Sequence, residues 1–586
     1  MTLAKHWVYN KDEDIVLSNL KGLCYSNPTL GLISSEKVVF NTKSDTKSKV
    51  CIVSGGGAGH EPLHGGYVGE NLLDAAVSGS IFASPSTKQI MAAIKTKANK
   101  EKGTLIVVKN YTGDILHFGL VVERAKSEGY KVEMLAVTDD VAVGRKQNAM
   151  VGRRGLAGTA IVHKIVGGSS KDFELSDVSK LGRSINDSLV TLSAALDRTS
   201  VPGKSSEELE FTGDNAAELG LGIHNEPGTK ISPIPNIDNL IKDMFHKLLS
   251  PDDEDRHYVD FQESDDTVLV INNIGGTSSL ELYAITEHVM NNWPLKNRPS
   301  RVLISDFVTS LNSPGFSITL LNLTKSSKES GIDKSKIIEY LDLPTNAPGW
   351  KPKSYAPEVW GTQLNSIESP MNHVSDVKSD LKFDGSEFES SINKALKKLI
   401  EEEPKITHFD TLVGDGDCGE TLVNGAQGIL KAYKDNEIKF ANDPVYVLSK
   451  FTEAVEDSMG GTSGGIYSIY LTALVHQLQQ IKEFDTPSIA QALHSALYDG
   501  LFKYTKARVG GRTLVDTLQP FVDTLKETND IQKAIKSAKD GCESTKKLQA
   551  KFGRASYVDE KEFEAEGGIP DPGAVGLLAI IEGFFS

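Results

Sequence analysis

The ten residues from Asp410 to Gly419, D-T-L-V-G-D-G-D-C-G, place three carboxylates, Asp410, Asp415 and Asp417, among three glycines. Carboxylates this close repel one another unless neutralised, and glycine frees the backbone to bring them together. The set favours a hard divalent cation. Mg²⁺ takes one or two carboxylates and completes its shell with phosphate oxygens and water, so the pattern points to a nucleotide-phosphate site. The plain alternative is a surface Asp-Gly turn. An EF-hand starting at Asp415 fails, because Glu420 stands at its glycine position and Ala426 at its closing glutamate position.

Other segments offer groups for anions and small polar ligands. The runs Ser458–Gly465 (S-M-G-G-T-S-G-G) and Arg508–Thr513 (R-V-G-G-R-T) present backbone N–H groups and hydroxyls suited to phosphate, although glycine can equally serve close helix packing in the first. No G-x4-G-K-[ST] loop occurs. Asp571-Pro572-Gly573-Ala574 reads as a turn. Nearer the N-terminus, Val50–Val53 runs into S-G-G-G-A-G-H-E-P, Ser54 to Pro62, read as a strand, a loop and a helix forming an anion cradle. It departs from G-x-G-x-x-G because His60 occupies the last glycine position, so it suits a small polyhydroxylated or phosphorylated molecule better than a dinucleotide. Leu105–Val108 delivers Lys109-Asn-Tyr-Thr-Gly-Asp114 to a loop ahead of a helix expected near Ile115, where Asp114 is either a ligand-facing acid or a helix cap. Gly220–Gly228 carries His224 in a sterically open loop, whereas His163, His476 and His494 sit in helical patterns with packing or surface roles.

The elements that must hold these loops fall into two kinds. Up to about residue 343, β-branched runs (Val50–Val53, Leu105–Val108, Met134–Val137) alternate with amphipathic stretches, which predicts a parallel α/β lobe. Thr267–Ile271 and Phe316–Leu323 predict a second α/β lobe. Periodicity vanishes over 344–383 among Pro344, Pro348, Pro352, Pro357 and Pro370, as in a linker. From 384 to 586 the spacing becomes helical, with Phe388, Ile392, Ala395, Leu396 and Leu399 on one face behind a Ser386/Glu389 capping box, and Leu514, Leu518, Phe521, Val522 and Leu525 on another. Thr486-Pro487 opens a further helix.

Composition narrows the function. The chain has 586 residues, room for several cores, and 39% hydrophobic against 24% charged residues, the balance of a folded globular protein. Its net charge of −16 disfavours nucleic acid and anionic membrane surfaces. Four cysteines, Cys24, Cys51, Cys418 and Cys542, form no C-x-x-C pair, and no signal-like or membrane-length apolar run occurs, so a cytoplasmic location is expected.

Gly57-Ala-Gly-His-Glu-Pro62, Lys109-Asn-Tyr-Thr-Gly-Asp114, Gly222-Ile-His-Asn-Glu226 and Gly414-Asp-Gly-Asp417 together resemble the dihydroxyacetone kinase family, in the family's order and over nearly the whole chain. The resemblance implies a ketose-binding α/β K domain (1–343) and an all-α, barrel-shaped L domain (384–586) for ATP and Mg²⁺. It implies that the His224 ring adds to the substrate carbonyl as a hemiaminal, which would reject glycerol. Gly57, Ala58, Gly59, His60 and Lys109 are then substrate contacts, and Asp114 is the general base with His60 assisting. Asp410, Asp415 and Asp417 become metal ligands. Cys418, Gly419, Thr421, Ser458, Met459, Thr462, Ser463, Arg512, Asp571, Pro572 and Gly573 become nucleotide contacts, with Cys418 as filler and no nucleophile. Dihydroxyacetone and D-glyceraldehyde are the implied substrates, ATP the direct donor and a homodimer the implied assembly. Two rival readings share these motifs: cleavage of FAD to a cyclic flavin phosphate at the same nucleotide site, and a ketose-sensing binding protein, against which the acidic cluster argues.

Overall fold

The computed structural model describes residues 13–146, 152–202, 212–353, 377–435, 442–552 and 568–586, with a few single positions besides. The chain divides into two units, Met1–Ser366 and Ile367–Ser586.

The first unit opens with α1 (Ile15–Ser26) and a six-stranded sheet of β1 (Leu30–Ile33), β2 (Val38–Asn41), β3 (Cys51–Ala58), β4 (Ala75–Ile81), β5 (Thr104–Lys109) and β6 (Val132–Val137), in the order β1-β2-β4-β3-β5-β6. Strands β4, β3, β5 and β6 run parallel. Their apolar runs are continuous because both faces are covered. Cys51, Val53, Ile106 and Val108 face α2 (Thr87–Lys97) and α3 (Thr112–Ser127). Ile52, Leu105 and Val107 face α4 (Gly158–Ser169) and α5 (Leu175–Asn186). Every residue of α4 is buried, as befits a helix enclosed on all sides.

A second sheet is built from β7 (Leu189–Ala195), β8 (Ala217–Leu219), β9 (Thr229–Ile231), β10 (Thr267–Asn273), β11 (Arg301–Ser305) and β12 (Gly315–Asn322), in the order β11-β10-β12-β7-β8-β9. It is mixed, and among these strands only β10 and β11 pair in parallel. The segment between β11 and β12 is too short for a crossover helix, so β12 returns antiparallel beside β10. Helices α6 (Ile237–Leu249) and α7 (Ser279–Asn291) cover its outer face, and α8 (Leu323–Ser330) and α9 (Lys334–Asp342) follow it.

The α/β packing does not stop at 343. Gly349 N–H donates to the Gly66 carbonyl at 2.7 Å, and the Trp350 ring meets Tyr67 and Phe307 edge-on. Pro344 to Trp350 therefore belong to the first unit; most of 354–376, including Pro357 and Pro370 of the expected linker, lies outside the described residues.

The second unit is a ring of helices: α10 (Gly385–Val413), α11 (Cys418–Lys434), α12 (Pro444–Ser458), α13 (Gly461–Leu478), α14 (Thr486–Ser495), α15 (Val515–Thr528), α16 (Ile531–Ser544) and α17 (Pro572–Phe584). Each packs on the next and α17 packs on α10, which closes the barrel around an apolar cavity of about 320 Å³ lined by residues such as Leu399, Leu422, Tyr467 and Phe521. The cap of α10 is Asp384, whose carboxylate takes the Ser386 and Glu387 N–H groups, and not the expected Ser386. Asp384 precedes Ser386 and forms the stronger, charge-assisted contact with the helix end.

Candidate active site

In the first unit, His60, Lys109, Asp114 and His224 come to one place from three segments. The glycine run is itself strand: β3 continues through Gly55, Gly56 and Gly57 to Ala58 with every residue buried. A Cβ on Gly57 would lie 2.8 Å from the Ala83 nitrogen, so these glycines serve close backbone packing. Only the short turn Gly65–Tyr67 intervenes before β4, so no helix N-terminus completes the expected anion cradle. Gly59, at φ +97°, turns the chain and presents His60, while its own N–H donates to Glu61 at 2.9 Å.

His60 is fully buried and stacked on Phe82, with ring centroids 5.1 Å apart. Its Nδ1 lies 2.9 Å from the Thr309 carbonyl, which can only accept, so Nδ1 carries the hydrogen and Nε2 the lone pair. That lone pair faces Nε2 of His224 at 3.0 Å. His224 Nδ1 in turn lies 3.0 Å from the Glu226 carboxylate. Both contacts are satisfied when His224 carries hydrogens on both nitrogens. Tyr111 and Phe82 close on the His224 ring edge-on, at 4.6 and 5.3 Å. The loop carrying His224 is pinned by Asn225, which exchanges hydrogen bonds with the Thr199 backbone, and by Ser310, which donates to the Ile223 carbonyl at 2.6 Å.

Lys109 ends β5 and is buried, with its Nζ 3.5 Å from His64 Nε2. Burial lowers its pKa, opposed by Asp114, Glu61 and Glu226. Helix α3 begins at Thr112, earlier than expected, so Asp114 sits in its first turn and is not its cap. The buried Asp114 carboxylate instead accepts from Ser84 at 2.5 Å. Burial raises its pKa, and Lys109 and Ser84 oppose the rise. Burial likewise holds His60 neutral by pushing its pKa well down. It works the opposite way on Glu226, but the His224 ring and Arg154 outweigh it and hold that carboxyl at about 2. Sequence reasoning missed Phe82, Ser84, Thr309 and Glu226 as site members. Glu226, two residues from His224, was the findable one; Phe82 owes its placement to a φ of +57° that no spacing reveals.

In the second unit, ligand oxygens of Asp410, Asp415 and Asp417 lie within 4.8 Å of one another, the chemistry and spacing a divalent cation needs. Asp410, in the last turn of α10, accepts the Cys418 N–H at 2.9 Å. Gly416, at φ +79°, turns the loop between Asp415 and Asp417. Asp417 precedes α11 without capping it through its side chain, and its carbonyl accepts the Thr421 N–H at 2.9 Å. Gly419 lets α11 approach α10, since a Cβ there would meet Thr407 Oγ1 at 2.2 Å. Burial and the neighbouring carboxylates push the Cys418 thiol up to about 12, which keeps it protonated and inert.

The two remaining glycine runs differ. Ser458 and Met459 end α12, and exposed Gly460, Gly461 and Thr462 with half-buried Ser463 open α13, whose N-terminus has no capping side chain at Gly460. That end is available to an anion. In the second run the expected N–H donors are consumed internally: Gly510 and Thr513 donate to the buried Asp516 carboxylate at 2.6 and 2.8 Å, and Gly511 to the Arg508 carbonyl. Arg512 is buried and donates to the Ile569 carbonyl at 2.8 Å. Asp571 is a helix cap and not a free turn: it accepts the Ala574 N–H at 2.8 Å and opens α17, with Pro572 and Gly573 in the first turn. Burial, with Asp516 and Asp410 adding to it, pushes the Asp571 carboxyl up to about 7.

Comparison with known proteins matches both units. Residues 21–349 match the Dak1 domain and residues 412–586 the DAK2 domain. The chain is 49% identical to the dihydroxyacetone kinase of Pichia angusta, over 99% of this chain and 98% of that one. It is 32% identical to the mouse triokinase/FMN cyclase, over 96% and 95%. Among solved structures, the dihydroxyacetone kinase from C. freundii in complex with AMP-PNP and Mg²⁺ aligns over 99% of both chains with a TM-score of 0.67 at 28% identity. A dihydroxyacetone kinase operon co-activator aligns over 58% of this chain with a TM-score of 0.51. With both domain types in one polypeptide and relatives that align from end to end, the chain belongs to the dihydroxyacetone kinase family.

Proposed function

We propose that this protein phosphorylates dihydroxyacetone, and D-glyceraldehyde beside it, with ATP as direct donor, in the cytoplasm and as a homodimer. The observation that carries the reading is the His60–His224 contact of 3.0 Å, with Glu226 behind one ring and Thr309 behind the other. Nδ1 of His224 is held by Glu226 and Nε2 faces His60, while Tyr111 and Phe82 crowd the ring edge-on, so Nε2 is the nitrogen left to add to a carbonyl, and the crowding favours an unhindered one. In this reading His224 Nε2 passes its hydrogen to His60 Nε2 and bonds to the carbonyl carbon as the carbonyl π bond breaks, and the hydrogen passes on from His60 to the carbonyl oxygen, giving a hemiaminal. Lys109 and His60 orient the hydroxyls. Asp114 takes the proton of the hydroxyl that attacks the γ-phosphorus, and ADP leaves.

Asp410, Asp415 and Asp417 would hold Mg²⁺, which neutralises phosphate charge during transfer. The open end of α13, with Thr462 and Ser463, and the cap of α17, with Asp571, Pro572 and Gly573, are the best-presented nucleotide contacts; Arg512, which donates to the Ile569 carbonyl, is a further candidate for the phosphates. The four free cysteines fit a reducing compartment, and among the described residues no helix is long and apolar enough to cross a membrane. FAD cleavage is the second reading, favoured by the triokinase/FMN cyclase relatives. A pure ketose sensor is disfavoured, because the co-activator aligns with only 58% of this chain.

A coupled ADP-release assay with dihydroxyacetone, D-glyceraldehyde and glycerol tests the main reading, with FAD and Mn²⁺ in a parallel arm. ADP release with the two carbonyl compounds and none with glycerol is expected; equal rates with glycerol would refute the carbonyl-based selectivity. Light scattering reports the dimer.

A further inference from the structure

Behind His224 stands a chain of alternating charge. Glu226 takes the ring Nδ1–H at 3.0 Å and the His224 backbone N–H at 2.9 Å. Arg154 stands 4.0 Å from the other side of that carboxylate, donates from Nε to Asp140 at 2.7 Å, and donates from its second terminal nitrogen to the Gly220 carbonyl at 2.9 Å. Asp140 is fully buried and also accepts the Ala142 N–H at 2.9 Å. A Cβ at Gly222 would fall 2.0 Å from Glu226 Oε2 and 2.5 Å from an Arg154 nitrogen, so that position must lack a side chain for the pair to meet. None of this is needed merely to hold His224 in place, since Asn225 and Ser310 already pin its loop.

We propose that Arg154, steadied by Asp140, is a positioning residue that keeps Glu226 an anion and the His224 ring a cation throughout the covalent step, so that the ketose adduct forms and departs readily. The inference rests on the hemiaminal reading above. On addition, the Nε2–C2 bond forms as the carbonyl π bond breaks, and its electron pair goes to oxygen. The hydrogen that Nε2 gives up passes through His60 Nε2 to that oxygen. Nδ1 keeps its hydrogen, so the ring is cationic before and after, and the Glu226–Arg154–Asp140 charges need not rearrange. Reversal then expels a neutral imidazole. Were Glu226 basic enough to take the Nδ1 hydrogen, reversal would have to expel an imidazolate anion, a far poorer leaving group.

The groups that face Glu226 are His224 in its own loop, Arg154, and Lys109 and Tyr111 at the end of β5. Of these, Arg154 is the cation tied to no substrate role. Removing it lets Glu226 rise and draw the Nδ1 hydrogen.

The test uses the full chain without nucleotide and dihydroxyacetone labelled with ¹³C at C2. The C2 resonance moves from the ketone to the tetrahedral range when the adduct forms, and a chase with unlabelled ketose gives its exchange rate. In Arg154→Gln the adduct should form and exchange about tenfold more slowly, the equivalent of one pKa unit. Exchange should recover as pH is lowered, while the parent protein stays flat over the same range. Arg154→Lys, which restores a cation, should restore fast exchange. An Arg154→Gln protein whose adduct fails to form, or exchanges as fast as in the parent, overturns the proposal, as does Arg154→Lys behaving like Arg154→Gln. A parent protein with no tetrahedral signal overturns the hemiaminal reading itself.

Discussion

The hydroxyl of Ser84 donates to the Asp114 carboxylate at 2.5 Å, joining the loop after β4 to the first turn of α3. Burial raises the Asp114 carboxyl, and this donor partly offsets the rise. A general base works in its ionised form, above its pKa. Ser84→Ala removes the donor and raises that pKa further, so the acid limb of kcat/KM should move to higher pH while the rate at its alkaline plateau changes less. A pH–rate profile of both proteins measures this, and coincident acid limbs would exclude Asp114 as the titrating base.

His224→Ala should lose selectivity more than it loses nucleotide. The ring is walled by Tyr111 and Phe82 and contacts His60, so its removal opens space where a carbonyl is no longer required. The ratio of dihydroxyacetone to glycerol turnover should fall toward unity, with ATP affinity unchanged in titration calorimetry. Residual turnover of dihydroxyacetone is compatible with this, because His60, Lys109 and Asp114 remain.

Asp415→Asn and Asp417→Asn should each lower ADP release by at least roughly a hundredfold, the scale set by several kcal/mol of phosphate-charge stabilisation. Neither side chain caps a helix, so circular dichroism should keep the parent's helical signal. Normal turnover in either variant would remove the metal role assigned to the cluster.

The two units should be separable, and the packing specifies where to cut. A fragment ending at Lys353 keeps Trp350 against Tyr67 and Phe307, whereas one ending at Leu343 uncovers both rings. The longer fragment should melt at the higher temperature in calorimetry, paired with a helical fragment beginning near Val377. Equal melting of the two α/β fragments would place Trp350 outside the cooperative unit.

How far the residues could be read in advance depended on the range of the interaction. The strands around Val53, Val107 and Val137 and the helical faces at Leu396 and Leu518 follow from local periodicity, and they appear in the structure as read. Asp410, Asp415 and Asp417 could be grouped in advance because they lie within eight residues of chain, and the structure brings their carboxylate oxygens within 4.8 Å of one another. The glycine run at Gly55 was misjudged: its backbone is pressed against Val77 and Ala83, partners distant in sequence, so it extends β3 where a loop was expected. At Gly510 the partner is close in sequence, yet nothing in R-V-G-G-R-T announces that Asp516, just beyond it, takes the Gly510 and Thr513 N–H groups. Capping was misplaced at Ser386 by a short shift in register, the scale at which helix ends are set by single side chains, and the helix-cap alternative at Asp114 falls away because α3 already begins at Thr112.

The closure of the helical ring by α17 on α10 bears on the order in which the protein can be made. The hydrophobic clusters of the α/β unit are built from its first 350 residues, and that half can complete its cores while the helical half is still being made. The ring cannot: until α17 arrives, Leu396, Leu399 and Leu422 present an apolar gap, and Asp571 is not yet beside the helices that carry the acidic cluster. The helical half is therefore the last part of the molecule to bury its apolar surface, and the one exposed to aggregation during synthesis.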